Sequence, residues 1–335
     1  MKVGIIGAGS WGIALSVLLN KNGSDVTVWS ILEDEINMLK EKHEHVSKLP
    51  GVKLPDTINF TTVLEKTIKE NEVLIMAVPS PFIRSTSQKM KPFVKDGQVI
   101  VNVAKGIEEN TLMTLSEIIE EEIPQAKVAV MCGPTHAEEV GRGIPTSIVV
   151  GAKEQKVAET LQDLFMNETF RVYISPDVLG MEIGSSLKNV VALAAGIADG
   201  LGYGDNTKAA LITRGIAEIA RLGMKMGGKF ETFAGLTGIG DLIVTCASMH
   251  SRNRRAGILI GQGKTMKEAM DEVQMVVEGV YSAKAAMQLS QKYNVELPII
   301  EQVNLILFEN KPAAEAVKDL MIREKKIEIK DVFPE

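Results

Sequence analysis

Lys188 is the only cation in residues 185–198, a stretch that is apolar nearly all round. Such a stretch predicts a buried helix. A buried ammonium without a partner is costly or has its pKa lowered, and such a lysine can exchange a proton with a reacting oxygen. Alternatively, the stem crosses the core and the charged head reaches solvent from the first turn. Asn189 and the neighbouring serines favour a polar pocket, and hence a functional lysine.

Asp241 is the candidate partner of that lysine. Residues 235–241 read G-x-x-G-x-G-D, but no apolar strand precedes them, which weakens their interpretation as a phosphate loop. A helix that starts here places Asp241 and Thr245 on one face, at positions i and i+4. We therefore expect Asp241 to orient a catalytic lysine.

Arg252 and Asn253 follow Ser251, a residue type that commonly caps helix N-termini. A positive side chain is unfavourable at a helix N-terminus, because the helix macrodipole is positive there. A bound anion would explain why an arginine occupies this position, since arginine binds phosphate bidentately. A solvated basic face is the alternative, and it is the interpretation we prefer for Arg254 and Arg255. A nucleic-acid surface is disfavoured because no aromatic residues alternate with the arginines and the net charge is −6.

Strand, glycine turn and helix follow one another at the start of the chain. Residues 2–6 form an apolar run, Gly7, Gly9 and Gly12 give the spacing G-x-G-x-x-G, and residues 13–19 continue as an apolar helix. Gly7 permits a tight turn, Gly9 lets a pyrophosphate approach the backbone, and Gly12 brings helix and strand together. The unpaired N–H groups of the helix start favour an anion. The order predicts a dinucleotide site.

Apolar runs alternate with polar helical stretches as far as about residue 151, which predicts an α/β fold with a doubly wound parallel sheet. The later predicted strands are 25–29, 73–78, 98–104, 127–132 and 147–150. Ligands bind off the carboxyl ends of such strands, where the candidates are Ser10, Trp11, Trp29, Ser30, Pro79, Ser80, Lys105, Gly133 and Thr135.

Two residues in these loops leave alternatives open. Lys105 carries the only full charge among the strand-end candidates, and a ligand contact and an ordinary surface lysine explain it equally well. His136, next to Thr135, is a general acid or a packed loop residue, and the second interpretation is preferred.

The end of the second predicted strand does not decide between two cofactors. Trp29, Ser30 and Ile31 include neither a carboxylate for a ribose hydroxyl nor an arginine for a 2′-phosphate. Glu33 and Asp34 come later and favour the positive end of the next helix. The choice between NAD and NADP stays open.

The composition is that of a soluble globular protein, with 335 residues, 45% hydrophobic and 24% charged. Cys132 and Cys246 cannot form a disulfide framework and indicate a reducing compartment. The chain starts directly with a strand, without a signal peptide, and its apolar runs are broken before membrane-spanning length. His43 and His45, at i and i+2 among charges, favour a solvated turn over a metal site. We expect a cytoplasmic protein without metal or membrane insertion.

The pattern changes beyond residue 151. A helix (154–166) and a strand (170–174) come first, and everything after residue 185 reads as helices. The apolar stretch 297–308 fits either a homodimer interface or a core, so the oligomeric state is open.

The motifs, in this order, resemble those of bacterial NAD(P)-dependent glycerol-3-phosphate dehydrogenases. They span nearly the whole chain: residues 7–12 (GAGSWG), 77–80 (AVPS), 105–106 (KG), 133–138 (GPTHAE), 188–189 (KN), 238–242 (GIGDL), 251–253 (SRN) and 276–279 (VVEG). The resemblance implies an N-terminal Rossmann domain, residues 1–183, and an all-helical C-terminal substrate domain, residues 184–335. It also implies reversible reduction of dihydroxyacetone phosphate to sn-glycerol 3-phosphate for phospholipid synthesis.

The resemblance also assigns roles to residues. Lys188 becomes the general acid or base, Asp241 orients it and Lys105 helps to hold substrate, which makes these three the predicted catalytic residues. The predicted substrate contacts are Lys105, Gly133, Thr135, Lys188, Asp241, Ser251, Arg252 and Asn253. The predicted NAD(P)H contacts are Gly7, Gly9, Ser10, Trp11, Gly12, Ser30, Ile31, Lys105, Ala137, Arg252, Val276 and Glu278. Ile31 stands where the family often has a basic residue, which puts NADP preference in doubt.

Two other functions compete with this one. A 3-hydroxyacid or ketoacid reductase of the same architecture shares the glycine turn and the buried lysine, but would use Arg252 for a carboxylate. A non-catalytic dinucleotide-sensing regulator would bind the cofactor and would have no use for a buried Lys188 near Asp241.

Overall fold

A computed structural model describes residues 1–325, 327 and 328. Within them, eight strands form one sheet in the order β3-β2-β1-β4-β5-β6-β7-β8. The strands are β1 (Lys2–Ile6), β2 (Asp25–Trp29), β3 (Asn59–Thr61), β4 (Val73–Met76), β5 (Val99–Asn102), β6 (Lys127–Cys132), β7 (Thr146–Ala152) and β8 (Phe170–Ser175).

The parallel sheet predicted from the apolar runs is confirmed from β3 to β6, where neighbouring strands run in the same direction. β7 runs antiparallel to β6, and β8 runs parallel to β7. The sequence prediction did not include β3, because three residues with only Phe60 buried leave no apolar run. The sequence pattern also does not indicate that β7 runs antiparallel to β6. Both faces of β7 are largely buried, and they would be buried in either strand direction.

Sixteen α-helices lie in the described part of the chain. They are α1 (Ser10–Lys21), α2 (Glu33–Lys42), α3 (Leu64–Lys69), α4 (Ile83–Met90), α5 (Leu115–Glu122), α6 (Ala137–Gly141), α7 (Gln155–Phe165), α8 (Val178–Gly200), α9 (Asp205–Met226), α10 (Phe230–Phe233), α11 (Asp241–Ala247), α12 (Arg252–Gly261), α13 (Met266–Val273), α14 (Glu278–Tyr293), α15 (Pro298–Phe308) and α16 (Ala313–Met321). From α8 onwards, the described residues contain helices and turns only, as predicted.

Helix α8 is the centre of the helical part and is buried over most of its length. It begins at Val178, earlier than the predicted 185, because the Asp177 carboxylate caps it by accepting from the Gly180 N–H at 3.0 Å. By length and composition, α8 and residues 230–247 would suffice to cross a membrane, although the sequence pattern suggested shorter runs. However, 83% of the apolar window of α8 is buried inside the protein, so this helix forms the core of the second half.

Helices α8 and α12 cross at very short range through glycines on both partners. A Cβ on Gly196 would lie 2.1 Å from the Arg254 carbonyl oxygen, and a Cβ on Gly257 would lie 2.3 Å from that of Leu193. Gly200 and Gly261 repeat the same arrangement one turn further along. Only hydrogen fits at these positions, so the glycines fix the distance between the helix that carries Lys188 and the helix that begins at Arg252.

Candidate active site

The glycine turn between β1 and α1 has the geometry that its sequence predicts. Gly7 adopts φ +119°, a region that L side chains disfavour. A Cβ on Gly12 would lie 2.2 Å from the Gly7 carbonyl oxygen, which explains the third glycine. Beside Gly9, by contrast, a Cβ would meet no heavy atom within 4 Å. Open space at that point, next to the first N–H groups of α1, fits a pyrophosphate group. Ser10 and Trp11 form the first residues of α1.

Lys188, Asp241 and Lys105 form one hydrogen-bonded cluster. Lys188 Nζ lies 2.6 Å from Asp241 Oδ1, and Lys105 Nζ lies 2.7 Å from Asp241 Oδ2, so one carboxylate serves both ammonium groups. Lys188 also donates to Thr245 Oγ1 at 2.5 Å, and Lys105 to the Gly133 carbonyl at 3.3 Å. Lys188 is only 5% exposed, so the alternative in which its head reaches solvent is wrong.

The charges in this cluster shift one another's pKa values. Burial lowers the pKa of Lys188 to about 8, and the nearby Lys105 cation adds to this, although the Asp241 carboxylate opposes it. Burial disfavours the charged form of Asp241, but the two lysines outweigh it and lower its pKa. Burial likewise disfavours charge on Lys105, but Asp241 raises the pKa of that lysine overall. Lys188 is therefore the cluster member best suited to proton transfer near neutral pH.

Local structure explains why these side chains meet. Asp241 is the first residue of α11 and follows a π-helical turn, Leu236–Gly240. That turn approaches α8 at Gly184, where a Cβ would lie 2.8 Å from the Thr237 carbonyl oxygen. The predicted i, i+4 relation holds, since Thr245 Oγ1 donates to the Asp241 carbonyl oxygen at 2.6 Å. Lys105 comes from the loop that follows β5, which places both halves of the chain in the cluster.

Ser251 caps α12, as predicted, with its Oγ accepting from the Arg254 N–H at 3.2 Å. Arg252 then lies in the first turn, and in the described part of the chain no ion pair within 4.0 Å involves it. Burial lowers the pKa of Arg252, although Glu278 and Glu138 oppose this. A partly buried guanidinium without a salt bridge at a helix N-terminus is suited to bind an anion.

Asn253 makes protein contacts with both ends of its amide. Its Nδ2 donates to Asn189 Oδ1 at 3.0 Å, and its Oδ1 accepts from the Gly279 N–H at 2.9 Å. Asn253 thereby ties α12 to α8 and α14. The interpretation of Arg254 as a solvated basic residue is wrong, because it pairs with Asp199 at 2.7 Å. Arg255 is exposed.

The loop after β6 brings further predicted residues to the same region. Gly133 has φ +157°. Its carbonyl oxygen accepts hydrogen bonds from Lys105 Nζ and, at 3.2 Å, from Thr135 Oγ1. His136 precedes α6, and its ring centroid lies 5.6 Å from that of His250. Burial, and then the Lys188 charge, lowers the pKa of His136. The interpretation of His136 as a packed loop residue stays a prediction. Ala137 is the first residue of α6.

A carboxylate does lie at the end of β2, although the sequence prediction placed none there. Ser30 Oγ donates to Glu35 Oε2 at 2.5 Å, and Glu35 also bonds His45 at 2.9 Å and Lys48 at 2.5 Å. Glu35 lies five residues after Ser30, and the first turn of α2 brings it back to the strand. Ile31, which follows Ser30, is 64% exposed and carries no charge.

The His45 contact corrects the interpretation of His43 and His45 as parts of a solvated turn, because His45 is buried. His45 is 1% exposed, and its Nδ1 accepts from the Lys48 N–H at 3.2 Å. Its Nε2 is therefore the nitrogen that donates to Glu35. Among the described residues, no group of three or more His, Cys, Asp or Glu side chains could hold a metal ion.

Glu278 and Ser80 form a contact that sequence reasoning did not predict. Glu278 is the first residue of α14, shortly after Val276, and it accepts from the Ser80 N–H at 3.3 Å and from Ser80 Oγ in a short hydrogen bond. Both residues were singled out separately, one as a strand-end residue and one through the resemblance. Nothing in the sequence pairs two positions 198 residues apart.

Comparisons with known proteins agree with this geometry. Models described as "NAD-dependent glycerol-3-phosphate dehydrogenase N-terminus" and "C-terminus" match residues 2–158 and 177–318. The chain is 72% identical over 327 residues to "Glycerol-3-phosphate dehydrogenase [NAD(P)+]" of Agathobacter rectalis, covering 98% of this chain and 97% of that protein. It is 51% identical over 334 residues to the Bacillus subtilis protein of the same name, with 99% and 97% covered.

A solved structure extends the similarity to three dimensions. The crystal structure of glycerol-3-phosphate dehydrogenase from Coxiella burnetii superposes with a TM-score of 0.93 at 35% identity and covers 96% of this chain and 99% of that one. Both halves of the sequence and the whole fold thus point to one family. The chain belongs to the NAD-dependent glycerol-3-phosphate dehydrogenase family.

Proposed function

We propose that Lys188, Lys105 and Asp241 form the catalytic centre of a reversible, NAD(P)H-dependent reduction of dihydroxyacetone phosphate to sn-glycerol 3-phosphate. The observation that carries the proposal is the single Asp241 carboxylate, bonded to Lys188 at 2.6 Å and to Lys105 at 2.7 Å. The names of the relatives supply the reaction.

The nicotinamide supplies the hydride in such a reaction. This chain has to polarise the carbonyl and deliver a proton, and Lys188 can do both because its pKa is about 8. Asp241 fixes the position of the Lys188 ammonium group. Lys105 adds a second positive charge, which favours the negative charge that develops on the carbonyl oxygen.

The substrate phosphate is assigned to the start of α12. Arg252 presents a partly buried guanidinium, and the N-terminus of the ten-residue helix adds a partial positive charge. Gly133, Thr135, Ser251 and Asn253 complete the proposed substrate site. Asn253 acts there by fixing α12 against α8 and α14, since its own amide is already hydrogen-bonded.

The cofactor is assigned to the carboxyl edge of the sheet. The space beside Gly9 fits a pyrophosphate, and the proposed contacts are Gly7, Gly9, Ser10, Trp11, Gly12, Ser30, Ile31, Lys105, Ala137, Arg252, Val276 and Glu278. With this assignment, residues 1–183 form the dinucleotide-binding domain and residues 184–335 the substrate domain.

The cellular setting is part of the same proposal. Two buried, unpaired cysteines suit a reducing compartment, and we place the enzyme in the cytoplasm. Its product would supply glycerophospholipid synthesis. A homodimer is proposed with α15 as the candidate contact, although α15 also contributes Ile300 and Val303 to the core.

The test follows the oxidation of NADH and of NADPH in parallel, with dihydroxyacetone phosphate as substrate and a 2-ketoacid of similar size as comparison. We expect oxidation with the phosphorylated ketone only, and the two rates give the cofactor preference. Oxidation with the ketoacid alone would identify the hydroxyacid or ketoacid reductase. Cofactor binding without turnover of either substrate would favour the dinucleotide sensor.

A further inference from the structure

Ser80 and Glu278 connect the sheet domain to the helical domain at the edge of the proposed cofactor site. Ser80 starts a short 3-10 turn, Ser80–Phe82, just after β4, whereas Glu278 starts α14. Ser80 offers both of its donors, the backbone N–H and Oγ–H, to the two oxygens of the same carboxylate.

The surroundings hold this pair in one arrangement. A Cβ on Gly106 would lie 2.7 Å from Ser80 Cβ, 2.8 Å from Ser80 Oγ and 3.7 Å from Glu278 Oε2. The backbone at Gly106 therefore packs directly against the serine and limits the directions its hydroxyl can take. A larger residue at position 106 would push the hydroxyl away from the carboxylate.

Glu278 depends on such donors because it is only 9% exposed. Burial raises its pKa, whereas the two Ser80 hydrogen bonds and the Arg252 charge oppose that shift. An ionised carboxylate has about four lone-pair sites, and Ser80 occupies two of them. The remaining sites can accept a hydrogen bond from a ligand, and this bond is strongest while the carboxylate is ionised and correctly turned.

We propose that Ser80 is a positioning residue that orients the Glu278 carboxylate as an acceptor for the primary amide of the nicotinamide ring. The proposal rests on the proposed function, which makes Glu278 a cofactor contact. The ribose hydroxyls and the adenine amine of NAD(P)H are donors too, but Gly106, which packs against Ser80 and Glu278, directly follows Lys105 of the catalytic cluster. The end of the cofactor that reacts therefore lies nearest to Glu278, and the N–H groups of its primary amide match a carboxylate acceptor. Ser80 acts on the cofactor through Glu278.

If Ser80 and Glu278 served only to hold the two halves of the chain together, other hydrogen bonds would share that role. Glu182 in α8 accepts from the Ser116 N–H at 2.9 Å and from Ser116 Oγ at 2.5 Å, and Ser186 Oγ donates to the Gly106 carbonyl at 3.1 Å. These bonds also join the two halves of the chain, so loss of the Ser80 hydroxyl should leave the domains attached.

The first experiment compares Ser80→Ala with Ser85→Ala in the full-length enzyme. Ser85 is the matched control, because it lies in α4, directly after the Ser80–Phe82 turn, and its exposed hydroxyl donates to the Phe82 carbonyl at 3.3 Å. We expect Ser80→Ala to weaken NADH binding about tenfold in a fluorescence titration. The kcat at saturating cofactor should change less than about twofold, and the melting temperature should stay close to that of Ser85→Ala.

The second experiment asks whether Ser80 acts through Glu278. Ser80→Ala is combined with Glu278→Gln, and we expect its tenfold effect on NADH binding to shrink to about twofold or less in that background. An unchanged NADH affinity in Ser80→Ala, or an equal loss with and without Glu278→Gln, would overturn the proposal. Failure of the proposed function looks different, since the unaltered enzyme would then fail to reduce dihydroxyacetone phosphate.

Discussion

Two ammonium groups share one carboxylate at the centre of the proposed site, which leaves a net positive charge in a buried space. Lys188 is 5% exposed and Asp241 1% exposed, so water screens this charge poorly. A phosphorylated substrate or an alkoxide would complete the charge balance. This is the physical reason why Lys188, and not a surface lysine, is assigned the proton transfer.

Replacement of Lys188 by alanine tests that assignment. We expect turnover of dihydroxyacetone phosphate to fall by at least about two orders of magnitude, because the proton donor is lost. NADH binding should persist, since the glycine turn lies on β1 and α1. Steady-state kinetics and a fluorescence titration measure the two effects. Lys153→Ala is a useful control, since Lys153 is an exposed lysine that pairs with Glu120 at 2.7 Å. Near-normal turnover in Lys188→Ala would contradict the assignment.

The pH profile should report the same lysine. Ketone reduction needs the protonated form of Lys188, so kcat/KM should be level below about pH 8 and fall above it, where the proton is lost. Oxidation of glycerol 3-phosphate needs the neutral form and should rise towards that pH. In Asp241→Asn the carboxylate that favours the charged form of Lys188 is absent, so the pH at which kcat/KM begins to fall should be lower. An unchanged pH in that variant would assign the titration to another group.

The close approach of α8 and α12 can be tested at the level of these helices. Gly257→Ala would place a methyl group 2.3 Å from the Leu193 carbonyl oxygen, and we expect it to lower the free energy of unfolding by about 2 kcal/mol or more. Because α12 carries Arg252, KM for dihydroxyacetone phosphate should rise as well. Gly204→Ala is the control, since its Cβ would meet nothing within 4 Å. Equal urea midpoints for the two variants would show that the helices can separate at little cost.

Local sequence patterns predicted where the strands lie better than they predicted which distant residues contact one another. The strands β1, β2 and β6 were predicted to the residue because short, mainly apolar runs bounded by polar residues or glycine mark buried parallel strands. The pairing of Lys188 with Asp241 was predicted because each residue was unusual in its own segment. The Ser80–Glu278 and Ser30–Glu35 contacts were not predicted, since a serine or glutamate near a strand end or a helix start is ordinary by itself. Such contacts depend on how distant segments fold together.

At the scale of the whole molecule, Glu35 makes stability depend on pH. It is buried at the end of β2 and holds residues 45–48 to the sheet through His45 and Lys48. Burial alone would raise its pKa, but the hydrogen bonds from His45, Lys48 and Ser30 outweigh it and lower the pKa from 4.5 to about 2. A carboxyl whose pKa is lower in the folded state stabilises the protein above its unfolded pKa. That contribution is lost as the pH falls from about 4.5 towards 2.

Glu35→Gln removes the charge while keeping the size of the side chain. At pH 7 we expect the free energy of unfolding to fall by about 3 kcal/mol, the equivalent of the pKa shift. By about pH 3.5 the difference from the unaltered protein should have shrunk by roughly 1 kcal/mol. Urea denaturation at several pH values measures this, with the exposed Glu33→Gln in the same helix as control. A difference that stays constant over this range would mean that the glutamine disturbs packing and that the Glu35 charge contributes nothing to stability.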